Sequence, residues 1–298
     1  MRFTLLIGIL LSRVLLCNSQ KVNYVKDYHP FINEAENLII GNLLLEALYS
    51  YENAFKRVEF SFAKDEYNAL LCCIMTGRRT QADIYLKNLA LKGIDICFLE
   101  KNKLIKSFTE ETHYKYQKYY PTSRKYNYVL IETLNKISKI DQDIRTPNAL
   151  LKEPIAKTDS SNAKVLLDMI YDYGFPSEQL IGYDGVLPKE SMYNLIIIHQ
   201  NRLSGTFNFS DILFQAVENG SLLPNTALML MLFQNEADIL GFSYTIDTKE
   251  YIHTMECQHI DKERLLWGIS TIKTYSMKVE SPNPANFEFN IKKMVVKR

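Results

Sequence analysis

The stretch YNYVLIETLNKISKIDQDIR, Tyr126 to Arg145, decides the fold. Tyr128, Ile131, Leu134, Ile137, Ile140 or Asp141, and Ile144 recur at intervals of three and four. That spacing puts one apolar stripe along a helix from end to end. Asp141 and Arg145 are one turn apart on the same helix, close enough for a carboxylate and a guanidinium to pair. The helix must stop by Thr146, because Pro147 disfavours helical geometry for the residue before it.

Upstream, the pattern is again helical and occurs twice. Phe31, Ala35 and Leu38, then Ala47, Tyr51 and Ala54, mark two consecutive helices. Moving 35 residues on reaches Leu70, Cys73, Ala82, Leu86 and Leu89, with Gly77 at the break. From Ile94 to Tyr120 the helical reading continues into a basic, tyrosine-rich end, HYKYQKYYPTSRKYNY. Lys and Tyr interleaved suit either stacking on bases or sugars or a solvated helix end with half-buried rings. Pro121-Thr-Ser breaks the chain, and the border between two regions, 20–120 and 121–298, is set there.

Downstream, 148–160 reads as a loop containing Pro154, with Ser161-Asn162 capping a helix through Val165, Leu166, Met169 and Ile170. Gly174 ends that helix, and PSEQ and Asp184-Gly185 are turns. Met192, Leu195, Ile196 and His199 share one helical face. Ser210-Asp211 caps a helix closed by Gly220, and Pro224 opens another that runs to Leu240. In the tail, 243–248 and 251–255 read as short β pieces and Asp261 as the cap of KERLLWGISTIKTY. Phe287-Glu-Phe-Asn-Ile alternates as an edge strand does. The fold class expected is mainly α: helical hairpins, then a larger helical domain with a minor β tail.

Hydrophobic residues make up 47% and charged residues 23% of the 298, so the chain is globular in composition. With 35 basic and 34 acidic side chains the net charge is +1, which gives no reason to expect nucleic acid as a partner. Arg2, the apolar run Phe3–Leu11 and small residues at Cys17 and Ser19 read as a signal peptide cleaved after Ser19, with an uncleaved anchor as the alternative. Secretion or a periplasmic location follows, with no transmembrane segment after the signal. The remaining cysteines, Cys72, Cys73, Cys97 and Cys257, are too scattered for a disulfide framework and suit buried thiols, with one bridge from Cys97 to the 72–73 pair as the alternative.

Two resemblances follow from these residues. The spacing over the first helices resembles the tetratricopeptide hairpin, which packs small residues where helices cross; an ordinary helical bundle fits the same spacing. Asp141-Gln142-x-x-Arg145, Gly174-x-Pro176 with Gly182, His199 closing an apolar helix, Ala216-Val217-x-x-Gly220 and Gly268 together resemble a Bacteroidetes-type bacterial domain-of-unknown-function family. The match covers about 126–275. Phe175 stands where that family has Trp, and Phe242-Ser-Tyr-Thr245 lacks its Gln and Gly. The family's Asp-Arg pair is not in register on MLMLFQNEADIL. The resemblance implies secretion or fusion to repeats and supplies no activity.

Few residues carry chemistry. His199 suits a general base, with Asp141 orienting the imidazole and Arg145 holding a substrate. A core histidine and a helix-end ion pair suit the same residues. Gln142, Gln200 and Tyr244 are the accompanying candidates for ligand binding. His253 and His259 are six apart, which places them on no common helical face, so a metal site there needs a ligand from elsewhere. No metal and no cofactor are expected. The first functional expectation is a non-enzymatic module that binds a protein or peptide partner, with a small molecule as a further option. The second is a hydrolase centred on His199, Asp141 and Arg145.

Overall fold

The computed structural model describes residues 22–120, 126–145, 152–203, 207–231, 255–283 and 285–289. The fold is mainly α. The signal-peptide stretch, Tyr244, both expected β pieces before Met255, His253 and the side chains of Cys257 and His259 lie outside what is described.

Short α1 (Tyr24–Asp27) is followed by a pair of antiparallel neighbours, α2 (His29–Ile40) and α3 (Leu44–Phe55). A second pair, α4 (Ala63–Met75) and α5 (Arg79–Lys92), packs on the first through α3 and α4. Ala35, Leu70 and Cys73 are fully buried, as are Ala47, Tyr51 and Ala54 and their counterparts Ala82, Leu86 and Leu89. The helical spacing thus marks the buried face. Cys72 and Cys73 are buried free thiols, and Cys97 is an exposed one. Burial pushes the Cys73 thiol up to about 12, so it stays protonated.

The helix expected from Ile94 to Tyr120 is three short pieces, α6 (Ile96–Leu99), α7 (Lys103–Thr112) and a 3₁₀ turn at Tyr116–Lys118. Its tyrosines point their hydroxyls at backbone carbonyls: Tyr116 at Ile94, Tyr114 at Asp83 and Tyr120 at Gly93. These three phenols are thereby anchored on α5 and the residues just after it.

Helix α8 (Tyr128–Asp143) starts at Asn127, whose Oδ1 accepts from the Leu130 amide. It packs on α9 (Lys152–Tyr173) and α11 (Ser191–Leu203), which also pack on each other. The expected loop over 148–160 is corrected: α9 already begins at Lys152. Pro154 lies in its first turn, where a missing N–H costs nothing because that position has no intrahelical acceptor. Between α9 and α11 come α10 (Glu178–Ile181) and a two-residue hairpin pairing β1 (Tyr183–Asp184) with β2 (Leu187–Pro188). Helices α12 (Ser210–Glu218) and α13 (Pro224–Met231) complete the second core.

The C-terminal part departs most from expectation. One long helix after Asp261 is replaced by α14 (Met255–Leu266), a break, and α15 (Ile272–Glu280). Gly268 makes the break: its φ is +72°, and a Cβ there would sit 3.0 Å from the His29 side chain. Asp261 lies within α14 and caps α15 from a distance, its Oδ1 accepting from the Ile272 amide at 2.7 Å. Residues 285–289 form no strand. They pack into the first core together with Tyr28, Leu70 and Leu99, and α15 packs on α2. The C-terminal stretch, grouped from sequence with 121–298, therefore meets the N-terminal helices. Among the described residues no helix is long and apolar enough to cross a membrane.

Candidate functional site

Two polar arrangements stand out, one in each core. The first to consider is the one the sequence pointed to. Leu130, Leu134 and Ile137 seat α8 in the second core and so carry Asp141, on the same side, fully inside. Asn162 of α9 ties the two helices by donating to the Ile137 carbonyl. Asp141 then meets residues from three directions. His199 Nδ1 lies 2.9 Å from both of its oxygens. Gln142 Nε2 donates to Oδ2 at 2.6 Å. Arg145, just past the helix end, donates from Nη1 to Oδ1 at 2.9 Å and to the Asp141 carbonyl at 2.8 Å. Its Nη2 reaches Asp159 Oδ1 on α9.

Burial works to raise the Asp141 pKa, but the His199 hydrogen bond, followed by the attraction of that ring and of Arg145, holds the carboxyl below its ordinary value. An ionised carboxylate only accepts, so the proton between the two groups sits on Nδ1. Among the described residues Nε2 meets no partner, and the ring is 18% exposed. Arg145 is 19% exposed, and both its Nη atoms are turned to carboxylates instead of outward.

Asp141, Asp159 and His199 can bring one ligand atom each to within 4.8 Å of one another. Arg145 already lies between the two carboxylates and supplies the positive charge a metal ion would bring there. Gln200, beside His199, is fully buried. Asp159 was missed because its segment read as a loop. Once α9 is extended to Lys152, Asp159 falls three and four residues before Asn162 and Ala163, on the buried face, and that spacing was the available signal.

The second arrangement had no sequence signal. Asn68 on α4 is fully buried, and its amide pairs with both main-chain groups of Glu288. Nδ2 donates to the Glu288 carbonyl and Oδ1 accepts from the Glu288 amide, each at 2.8 Å. Asn68 Nδ2 also reaches the Tyr51 hydroxyl. Asn102, whose Oδ1 caps α7, donates from Nδ2 to the Ala285 carbonyl at 2.7 Å. Tyr67 donates its hydroxyl to the Asn286 carbonyl at 3.3 Å. Ala285, Phe287 and Phe289 are buried while Asn286 is exposed, so the alternation read as an edge strand is real. What satisfies its backbone is a row of side chains on helices, in place of a neighbouring strand. Beside it lies a cleft of about 260 Å³ lined by Ile39, Ile40, Leu44, Met75, Phe287 and Phe289.

No protein-family model, no curated protein and no solved structure matches the chain.

Proposed function

We propose that the protein is a non-enzymatic partner-binding module whose N-terminal helices take up an extended polypeptide segment. The pairing of Asn68 with the N–H and C=O of a single residue carries this reading. It repeats the hydrogen bonding of a β ladder, and it reads main chain whatever side chain that residue bears. The flanking polar groups, Asn102 and Tyr67, continue the same row of contacts. The reading is tested by probing the full chain with an array of extended peptides, beside an Asn68→Leu variant. Binding that disappears with Asn68 supports it. An array on which neither the full chain nor a full chain with Phe287→Ala and Phe289→Ala binds any peptide overturns it.

A second reading rests on one observation, the Nδ1 of His199 fixed by Asp141 while Nε2 meets no partner among the described residues. An imidazole held this way offers Nε2 as the base in hydrolysis of a small ester, amide or sugar bond. Arg145 does not serve as the substrate clamp in this version, being committed to Asp141 and Asp159. Turnover of a panel of such substrates, abolished by His199→Gln, would favour it over the binding module.

We also propose that the chain acts outside the cytoplasm of a bacterium, as the resemblance over 126–275 and the Arg2–Ser19 pattern suggest. Mass spectrometry of protein recovered from an expressing cell should find Gln20 at the N-terminus. Recovery beginning at Met1 would contradict secretion by cleavage.

A further inference from the structure

Resting on the peptide-binding reading above, we infer that the groove recognises extended segments patterned small–x–aromatic–x–aromatic. We infer also that the chain's own Ala285–Phe289 stretch is the resident ligand that a partner must displace. Three observations lead there. Burial alternates along the stretch, with Ala285, Phe287 and Phe289 inward. The two phenyl rings stack at 6.2 Å with planes 9° apart, so both side chains of the pattern enter one slot on the helices. A backbone pairing that ignores side chains thus combines with an apolar slot that selects them.

The resident also fits imperfectly. Asn286 has φ +56°, a left-handed geometry that costs a non-glycine residue free energy and that a partner with another residue there need not adopt. The resident is further held in its turn by Asn283, which pairs with both main-chain groups of Phe287. The cleft of about 260 Å³ beside the phenyl rings is apolar on the Ile39, Ile40, Leu44 and Met75 side and is not filled by them. A larger aromatic at either position gains contact there. Occupancy by a tethered segment corresponds to a local concentration on the order of millimolar. The apparent Kd of a free peptide is its intrinsic Kd divided by the fraction of time the groove is empty.

The test uses a fluorescently labelled peptide of the sequence NPANFEFN, residues 283–290, and a second in which both phenylalanines are alanine. Anisotropy titrations are run on the full chain and on the full chain carrying Phe287→Ala and Phe289→Ala. The labelled peptide is expected to bind the double variant at least tenfold more tightly than the unaltered chain, and the alanine peptide to bind neither. Equal affinity for both chains removes the resident-competitor claim while leaving peptide binding standing. Equal affinity of the two peptides removes the aromatic pattern and likewise leaves peptide binding standing. No binding to a double variant that keeps its helical circular dichroism overturns this inference and the peptide-binding reading together. Where the double variant loses its helical signal, Phe289→Ala alone carries the same comparison.

Discussion

Each core holds a cluster of buried charge, and the two are finished differently. In the first, Glu36 on α2 receives Lys64 from α4 at 2.9 Å and Lys278 from α15 at 2.5 Å. Lys64 also meets Asp65 at 2.6 Å, and the Tyr28 hydroxyl donates to Asp65. All these side chains are 2% exposed or less. Burial alone would raise the Glu36 pKa, but Lys278 and then Lys64 bring it down to about 2. In the second, Asp141 is as deeply buried, yet Arg145 and His199 remain nearly a fifth exposed. The closed cluster fastens α15 to the N-terminal helices α2 and α4. The other leaves His199 and Arg145 partly exposed. Similar side chains thus form a fully buried cluster in one place and a partly exposed one in the other.

The largest way to break this comparison is Glu36→Ala, which removes the carboxylate facing Lys278 and leaves Lys64 with Asp65 alone in a dry core. It should cost about 3–5 kcal/mol, read from urea unfolding. A double change of Glu36 and Lys278 to apolar residues of similar size should recover part of that loss. Asp141→Asn, in the half-open cluster, should cost less, about 2–3 kcal/mol, since it weakens charge-assisted bonds that Arg145 and His199 can partly replace with water.

A pH titration sharpens the contrast further. Glu178 on α10 lies buried against the start of α4, where its Oε1 accepts from the Ala63 amide, and burial pushes its pKa up to about 8 from 4.5. The folded chain therefore holds a proton that the unfolded chain releases between those values, and stability falls as pH rises through that window. His29 has the opposite sign. Burial and then Lys64 lower its pKa from 6.5 to about 3, so stability rises with pH across that range. The two oppose each other between 4.5 and 6.5, which leaves 6.5 to 8 as the window for Glu178 alone. There the unfolding free energy of the unaltered chain, read from urea titrations, should drop relative to Glu178→Gln by up to about 1.4 kcal/mol per pH unit. A flat difference across that window would contradict a Glu178 carboxyl raised by burial. The smallest effect is expected from His199→Gln, under about 1 kcal/mol, with peptide binding unchanged.

Much of this was legible from local spacing. Ala47, Tyr51, Ala54, Ala82, Leu86 and Leu89 are all buried as their periodicity indicated. Asp141, Arg145 and His199 meet because the first two share a helix end and the third shares the apolar face of its own helix. What was hidden depends on distance along the chain. Asn68 and Glu288 are 220 residues apart, and nothing near either one announces the other. Lys64 in AKDEY and Lys278 in SMKVE look like residues of solvated helices until Glu36 is placed between them. Pro154 hid the first turns of α9, because a proline tolerated in a first turn looks the same in sequence as one that breaks a helix.

The most direct check is amide hydrogen exchange at Glu288 in the full chain, measured with and without excess unlabelled NPANFEFN peptide. The N–H bonded to Asn68 should be protected in the chain alone and should lose that protection as the free peptide displaces the resident segment. An amide that exchanges at the open-chain rate from the start, or one that stays protected at saturating peptide, would contradict a groove that reads main chain by exchange.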